Sequence, residues 1–594
     1  MTSWLREVPL NDIVNSPLLK TVIDALSAEK SFEAAVECMC AIFNETRDVD
    51  ECITIIQTLY PHIIALRSKV AEAAREEDVD KYKGIARIFA EAGEAWVVLI
   101  ARMPVDFRVL VESILETAAL DKDRDAISHT FKFWYELKQY LTLERYMQAR
   151  LEYVDIYSKL VDIMIGHLEY PKPESGNEKD LFEGDRDQEE KFREFRHQMG
   201  DVLKDCCEVI GVTDCLEKSY SLIETWVNTY GPQARTGLVP EWQKLEAPLF
   251  SLRAMGRMVP AEENIMLPRL MPLIVQIPNH DKVRFQAIMA LGRYTEWTAH
   301  HPDLLQPQLD FIMAAFTHPS KEVIRAAALS FKFFCNDCAD LLSGYTAQLQ
   351  QFYATYLDTL PSTSQDEITD GVASVLAKLP ADKIYENLKL YCNPVVTTLM
   401  AMAQSASNDK EKLALAGMYN AYETLLLCIL TKLSDKLQLL TIFIQWVQPY
   451  VEQSDQNPAV KYCQEIFPVL AAIAENFVTC TPILERICRC WRYMVLSYRT
   501  TMAPLLPLLA EKLAAGFNAS RQGCFLWATD SIVREFSEGV ERVDDNTTNA
   551  IFQFYEQQAT TFLRAMNDLP PEELPDRKSH SLHQAENCLT RFFS

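Results

Sequence analysis

Glycine is scarce in this chain, 17 in 594 residues, well below the ~7% of ordinary proteins. The shortage argues against Gly-rich phosphate loops and against folds with many tight hairpins, both of which need residues that accept positive φ. The G-x-x-x-x-G-K-[ST], G-x-G-x-x-G, G-x-S-x-G and H-E-x-x-H motifs are all missing. Ten scattered histidines offer no triad, so no catalytic residue is nominated and the chain reads as a non-enzyme without a cofactor. No apolar run approaches the ~20 residues of a bilayer span. The opening Met1-Thr2-Ser3-Trp4-Leu5-Arg6-Glu7 lacks the basic start and apolar run of a signal peptide. Basic residues are also in deficit, 58 Lys+Arg against 83 Asp+Glu for a net charge of −25. Such a field repels nucleic acid and anionic membranes overall and attracts basic proteins. Any anion site must therefore be a local basic patch.

Cysteine is plentiful, at 16 residues, but the spacings are irregular and fall within apolar helical stretches. They read as reduced thiols of an intracellular protein. Cys335-Asn336-Asp337-Cys338 is a lone C-x-x-C with neither further zinc ligands nor a thioredoxin-like context. It is taken as structural, as are Cys206-Cys207 and Cys488/Cys490, and no metal site is assigned. His300-His301 fits an inter-repeat turn.

What the sequence does hold is apolar residues, 48% of the chain, at three- and four-residue intervals. This spacing predicts helices over 32–43, 53–74, 79–101, 107–118 and 126–141, with no strand anywhere. Two units repeat. Helix 264–276, turn 278–281 and helix 282–298 are followed by helix 305–316, turn 317–320 and helix 321–342. Val283-Arg284 with Ala287-Ile288 matches Ile324-Arg325 with Ala328-Leu329, an offset of 325 − 284 = 41 residues. A helical pair at that period is the HEAT arrangement. One pair cannot bury its apolar face alone, so neighbours must stack. The expected fold is an all-α, right-handed HEAT superhelix.

The expected organisation is helical repeats over 1–169, an acidic loop over 170–190, a repeat array over 191–567, and a proline-rich break with a terminal helix over 568–594. The loop carries Asp180, Glu183, Asp185, Asp187, Glu189 and Glu190, with helix resuming near Lys191. It is either a solvated loop or an acidic arm that meets a basic partner or shields a basic surface. Both ends lack a polar capping unit, so the chain reads as part of a longer solenoid or a shortened gene product.

One segment stands apart, 482–499. With Pro482 in the first turn and ~100° per residue from Arg486, Arg489, Arg492 and Arg499 fall near 300°, 240° and 220°. The apolar side chains occupy roughly 40–180°, and Leu496 is the one aliphatic residue on the arginine side. Only Glu485 opposes the arginines. Two readings stand: an ordinary amphipathic helix with a basic side, or a helix whose guanidinium forks hold phosphate or carboxylate.

The run Glu485-Arg486-Ile487-Cys488-Arg489-Cys490-Trp491-Arg492 resembles the arginine-rich helix of the transportin-SR branch of the importin-β superfamily. Phe192-Arg193-Glu194-Phe195-Arg196, Asp201-Val202-Leu203-Lys204-Asp205, Ala377-Lys378-Leu379-Pro380, Gln464-Glu465-Ile466-Phe467-Pro468-Val469-Leu470 and Gly523-Cys524-Phe525-Leu526 continue the resemblance. It implies a karyopherin that shuttles between cytoplasm and nucleus, importing arginine-serine-rich (RS) cargo such as SR splicing factors, often phosphorylated. Ran-GTP would release the cargo, and Phe-Gly nucleoporins would be further partners. Membrane and direct nucleic-acid binding are not expected. By resemblance, Arg486, Arg489 and Arg492 grip cargo phosphoserines and Tyr493 packs on the cargo backbone. Relatives carry an arginine where this chain has Leu496, a role Arg499 would take over. The chain reads as starting after the repeats that embrace Ran-GTP and ending before the last repeats, so no Ran-contacting residue is named. The rival reading is a static HEAT scaffold or adaptor subunit, which has no need of an arginine-faced helix.

Overall fold

The chain is seen in a computed structural model. It is described over residues 8–567 apart from 123, 125, 174, 177, 235, 416–418, 452–455 and 538–542, and without side chains at 179, 406–415, 419–429 and 566. The expected break over 568–594 lies outside the described residues. All regular structure among the described residues is helical. The chain divides into two compact units, Met1–Phe311 and Ile312–Ser594, and the acidic segment is interior to the first.

Each unit is a stack of helices in two layers. In the first unit, Phe32–Glu45, Val79–Ala95, Ser128–Leu141, Arg186–Ile210, Gln243–Met255 and Asp281–Leu291 pack successively against one another. Pro104–Leu120, Met147–His167 and Val212–Ala234 lie in the covering layer. In the second unit the stack runs Lys321–Asp337, Ser362–Leu376, Tyr419–Trp446, Thr481–Tyr498 and Gly523–Ser537. There the covering layer is Thr346–Tyr356, Ala381–Leu415, Pro458–Asn476, Leu506–Ser520 and Asp545–Asn567. Local chemistry sets several starts and stops. Asp185 caps Arg186–Ile210 by accepting from the Asp187 and Gln188 amides, and Gly211 (φ +99) ends it. Asn457 caps Pro458–Asn476, with proline in its first turn.

Large side chains fill the seam between layers: Trp96, Trp134, Tyr153, Tyr157 and Trp491 are each at most 1% exposed. They also explain why some expected helices are broken. The 79–101 segment divides at Trp96, whose indole N–H donates to Thr46 Oγ1 at 2.8 Å. The 53–74 segment divides into Ile53–Ile64 and Arg67–Glu76. The 282–298 helix ends at Leu291 and restarts at Thr295. The bend lets Tyr294 donate to the Leu252 carbonyl at 2.7 Å while staying buried. Helix 321–342 likewise divides at Cys338.

The acidic segment differs from a freely solvated loop, and its helix starts at Arg186 rather than near Lys191. Tyr170 packs on Phe192 at 5.3 Å and on Trp242 at 5.4 Å between ring centroids. The Arg196 guanidinium lies 4.6 Å from the Tyr170 ring and 4.1 Å from that of Phe250, and it donates to Glu246 at 2.6 Å. Glu178 meets His280 at 3.0 Å and Glu189 reaches Lys282 at 3.8 Å. The aromatic anchor holds the segment, and some of its acids cover cationic neighbours while Glu183 and Asp187 remain exposed.

Two glycines in the first unit should respond oppositely to one methyl group. A Cβ on Gly93 would lie 2.7 Å from both Ile114 Cδ1 and Phe133 Cδ2, whereas one on Gly166 meets nothing within 4 Å. Gly93→Ala is expected to cost about 1–3 kcal/mol through overpacking. Gly166→Ala, inside Met147–His167, is expected to gain about 0.5–1 kcal/mol by limiting the unfolded chain. Urea unfolding of the two variants measures both signs.

Candidate functional site: an arginine-faced helix

The predicted basic segment forms the helix Thr481–Tyr498, opened by Pro482 in its first turn. Its apolar face (Ile483, Leu484, Ile487, Cys490, Trp491, Met494 and Val495) is buried. It packs against Tyr419–Trp446, Pro458–Asn476 and Gly523–Ser537, and Trp491 stacks on Phe467 at 5.3 Å. This burial fixes the rotation of the helix and turns the arginines outward.

The arginines differ in what holds them. Arg486 is anchored on the preceding helix of the stack, with Nε donating to Ser434 Oγ at 3.1 Å and a second nitrogen donating to Gln438. Arg489 is exposed and makes no ion pair or hydrogen bond among the described residues. Arg492 Nε donates to Ser531 Oγ at 2.8 Å, and its guanidinium sits 4.6 Å from the Trp527 ring. Burial and the nearby Arg534 cation both lower the Arg492 pKa. An anion placed there would relieve that repulsion. Tyr493 is half-buried beside them.

Arg499 does not join this face. The helix ends at Tyr498, and Arg499 takes φ +45 and ψ −126, so the 100° progression stops before it. Leu496, half-buried, keeps its place on the helix, and Arg499 opens the 3-10 segment Arg499–Leu505 after it. The helical wheel treated residue 499 as one more step of the helix, and the backbone turn removes that step.

Sequence reasoning missed a carboxylate group beside the arginines. Asp366, Glu367 and Asp370 lie on Ser362–Leu376, and Asp435 on Tyr419–Trp446. Burial and the neighbouring Asp435 carboxylate push the Asp366 pKa up to about 6, with Arg486 opposing the shift. Burial also raises Glu367 and Asp435. Asp370 accepts from the Trp446 indole at 3.0 Å and faces Lys332 at 3.4 Å. These acids are distant in sequence from the arginines, and the stacking of helices brings Asp366 and Asp435 near Arg486, while Glu367 faces Lys332 and Arg325. The face thus carries carboxylates next to guanidinium groups, suited to a ligand that alternates positive and negative charge.

The cysteines play no part in this face. Cys335, Cys338, Cys206, Cys207, Cys488 and Cys490 are all buried, and burial pushes Cys338 and Cys490 up to about 12, which makes them inert thiols. His301 stacks on Trp297 at 3.9 Å within its turn.

The Asp366 shift has a stability consequence. Its folded pKa lies above its ordinary value of 3.8, so the penalty is absent in acid and grows as pH rises toward about 6. Asp366→Asn should therefore raise stability near neutral pH by about 1 kcal/mol once partial exposure is allowed for, seen as a higher melting temperature. The gain should vanish at about pH 4. Thermal unfolding of both proteins across that range checks the sign.

Comparison with known proteins agrees with this architecture. Residues 77–167, 264–352 and 457–561 match the second, third and fourth helical-repeat domains described for Transportin-3/Importin-13, and residues 1–39 match an Exportin 1-like model. The match over 457–561 contains the arginine helix. A Schizosaccharomyces pombe protein described as uncharacterized is 38% identical over 583 residues, covering 97% of this chain and 58% of the relative. The mRNA transport regulator MTR10 of Saccharomyces cerevisiae is 30% identical over 600 residues, covering 97% and 58%. The chain thus spans a little over half the length of these curated relatives. A solved structure of importin-13 in its cytosolic state superposes with a TM-score of 0.75 at 17% identity, covering 94% of this chain and 63% of that one. The chain is thus similar along most of its length to MTR10 and importin-13, and in three stretches to the helical-repeat domains described for Transportin-3/Importin-13.

Proposed function

We propose that the chain is the cargo-holding part of a nuclear transport receptor for phosphorylated RS proteins such as SR splicing factors, shuttling between cytoplasm and nucleus. The observation that carries this reading is Arg489, exposed and unpartnered, beside Arg492, in a chain whose net charge is −25. A phosphoserine brings up to about two negative charges and three acceptor oxygens, which guanidinium forks take as charge-assisted pairs. The neighbouring Asp366 and Asp435 suit the arginines of the same cargo. Tyr493 lies where it can pack on the cargo backbone, and Arg486 lends charge from its anchored position. MTR10 is named a transport regulator, which agrees with the reading.

Ran-GTP as the releasing partner belongs to the same proposal, as do Phe-Gly nucleoporins. A cavity of about 270 Å³ between Pro458–Asn476 and Leu506–Ser520 is lined by Ala471, Ala474, Ala515, Ala519, Trp491 and Phe525. Glu475 and Lys512, ion-paired at 2.9 Å, also line it, and the remaining apolar wall suits a phenylalanine side chain.

Binding of RS peptides to the whole chain tests the cargo reading. Phosphorylated peptide should bind well above its unphosphorylated form. Arg489→Ala and Arg492→Ala should each weaken it by roughly tenfold, a typical loss for one charge-assisted contact. Arg486→Ala should cost less, because that side chain is already engaged. Binding indifferent to phosphorylation that survives all three substitutions would instead favour a static scaffold. Separately, Ala515→Glu, at an exposed position, should weaken capture of Phe-Gly peptides and leave RS-peptide affinity unchanged.

A further inference from the structure

The first unit holds a second basic site, far from the arginine helix in sequence. Adjacent stack helices Arg186–Ile210 and Gln243–Met255 leave a cleft of about 240 Å³ between them. One wall is a single helical face, His197, Gly200, Asp201 and Lys204; the other carries Phe250, Arg253, Ala254 and Arg257, with Arg293 closing the end. Within it Asp201 is the only carboxylate, and it is occupied by Lys204 at 2.7 Å.

Arg253, Arg257 and Arg293 make no ion pair or hydrogen bond among the described residues. They stay without an acid although carboxylates outnumber cations in the chain, 83 to 58. Other arginines of the same unit find acids: Arg67 with Glu116, Arg87 with Glu37, Arg102 with Asp50, Arg108 with Asp155 and Arg196 with Glu246. The Arg253 pKa is lowered by burial and by the Arg293 and Arg196 charges, and the Arg293 pKa by burial and the Arg257 charge. The His197 pKa is lowered by burial and by Arg253, Arg196 and Arg193. Cations held together against their own repulsion, in a partly desolvated cleft, are stabilised by an anion that enters it.

The backbone is shaped to keep them there. A Cβ on Gly256 would sit 2.2 Å from Arg293 Cγ, so the aliphatic stem of Arg293 lies directly on the glycine. A Cβ on Gly200 would sit 3.1 Å from that of Ala254, which sets the close approach of the two walls. The bend between Leu291 and Thr295 is what brings Arg293 over Gly256.

We propose that this cleft binds a phosphate monoester, presented as the phosphorylated side chain of a partner protein, with Arg253, Arg257 and Arg293 as its ligands. The cavity is smaller than the ~300–1,000 Å³ of sites that enclose drug-sized ligands, so it suits a phosphate group and a few neighbouring atoms. The net charge of −25 repels long polyanions, which favours a single phosphorylated residue over a nucleic-acid backbone. The assignment does not rest on the cargo reading of the arginine helix, since it uses a different unit and different residues.

The test uses the full chain at constant ionic strength, with three probes: inorganic phosphate, a glycine-flanked phosphoserine peptide, and single-stranded oligouridine. Binding is followed by phosphorus NMR and by thermal shift against matched chloride. The peptide should bind more tightly than inorganic phosphate, and Arg257→Gln with Arg293→Gln should weaken it at least tenfold. Both positions are exposed, so these variants should fold, and Arg253→Gln adds a half-buried third. Arg489→Gln should leave this site untouched, which separates its failure from failure of the cargo reading. Equal affinity in the Arg257→Gln/Arg293→Gln variant would overturn the proposal. So would inorganic phosphate binding as tightly as the peptide, or oligouridine binding that the same substitutions abolish while the peptide fails to bind.

Discussion

Each helix of this chain has more apolar surface than its immediate partner can cover, and the whole structure depends on that shortfall. A helical pair left alone would expose one face, so it stacks on the next pair and leaves a new face open at each step. The separation between layers is set by large aromatics such as Trp96, Trp134 and Trp491, all fully buried. Within the stack, contact between neighbours is set by small residues, as where Gly371 lies against Cys335 and the backbone of Lys332. Breaks at Trp96 and near Tyr294 satisfy the same demand. A straight helix would leave these ring systems without both a buried seat and a hydrogen-bond partner.

Once burial fixes the rotation of each helix, the polar sides of successive helices form continuous faces, and electrostatics is decided there. Several arginines meet carboxylates, some from a neighbouring helix 45–50 positions away, as Arg87–Glu37 and Arg67–Glu116 do. Against that background, arginines without acids mark places where an anion is missing. Two clusters of such arginines stand out among the described residues, one around Arg489 and Arg492, the other around Arg253, Arg257 and Arg293. The first adjoins a carboxylate group, which suits mixed-charge cargo. The second is a narrow cleft with a single paired acid, which suits one small anion.

The separation of faces on Thr481–Tyr498 was legible in the sequence because it depends on local periodicity alone. The HEAT-type pairs were legible too, through the 41-residue offset between Arg284 and Arg325. Yet these matched arginines have different fates: Arg284 packs 3.4 Å from the Phe311 ring and donates to the Phe311 carbonyl, while Arg325 stays exposed beside Glu322. A repeat pattern reports which backbone face a residue occupies, and its partner is a property of the next helix. Arg499 shows the opposite limit, since a wheel assumes that the helix continues and a positive φ ended it.

The sequence by itself determined the all-helical class, the repeat, the resemblance to the importin-β superfamily and the basic face of one helix. All of these follow from residue type and spacing along the chain, or from motif likeness along it. Tertiary structure alone decided which arginines are satisfied, which acids sit beside them, that Tyr170 and Phe182 anchor the acidic segment, and that Arg293 lies on Gly256 in a second basic cleft. The reason is physical. Whether a charge is paired, repelled or buried depends on groups brought within a few ångströms by stacking, and those groups lie tens of residues away in the chain.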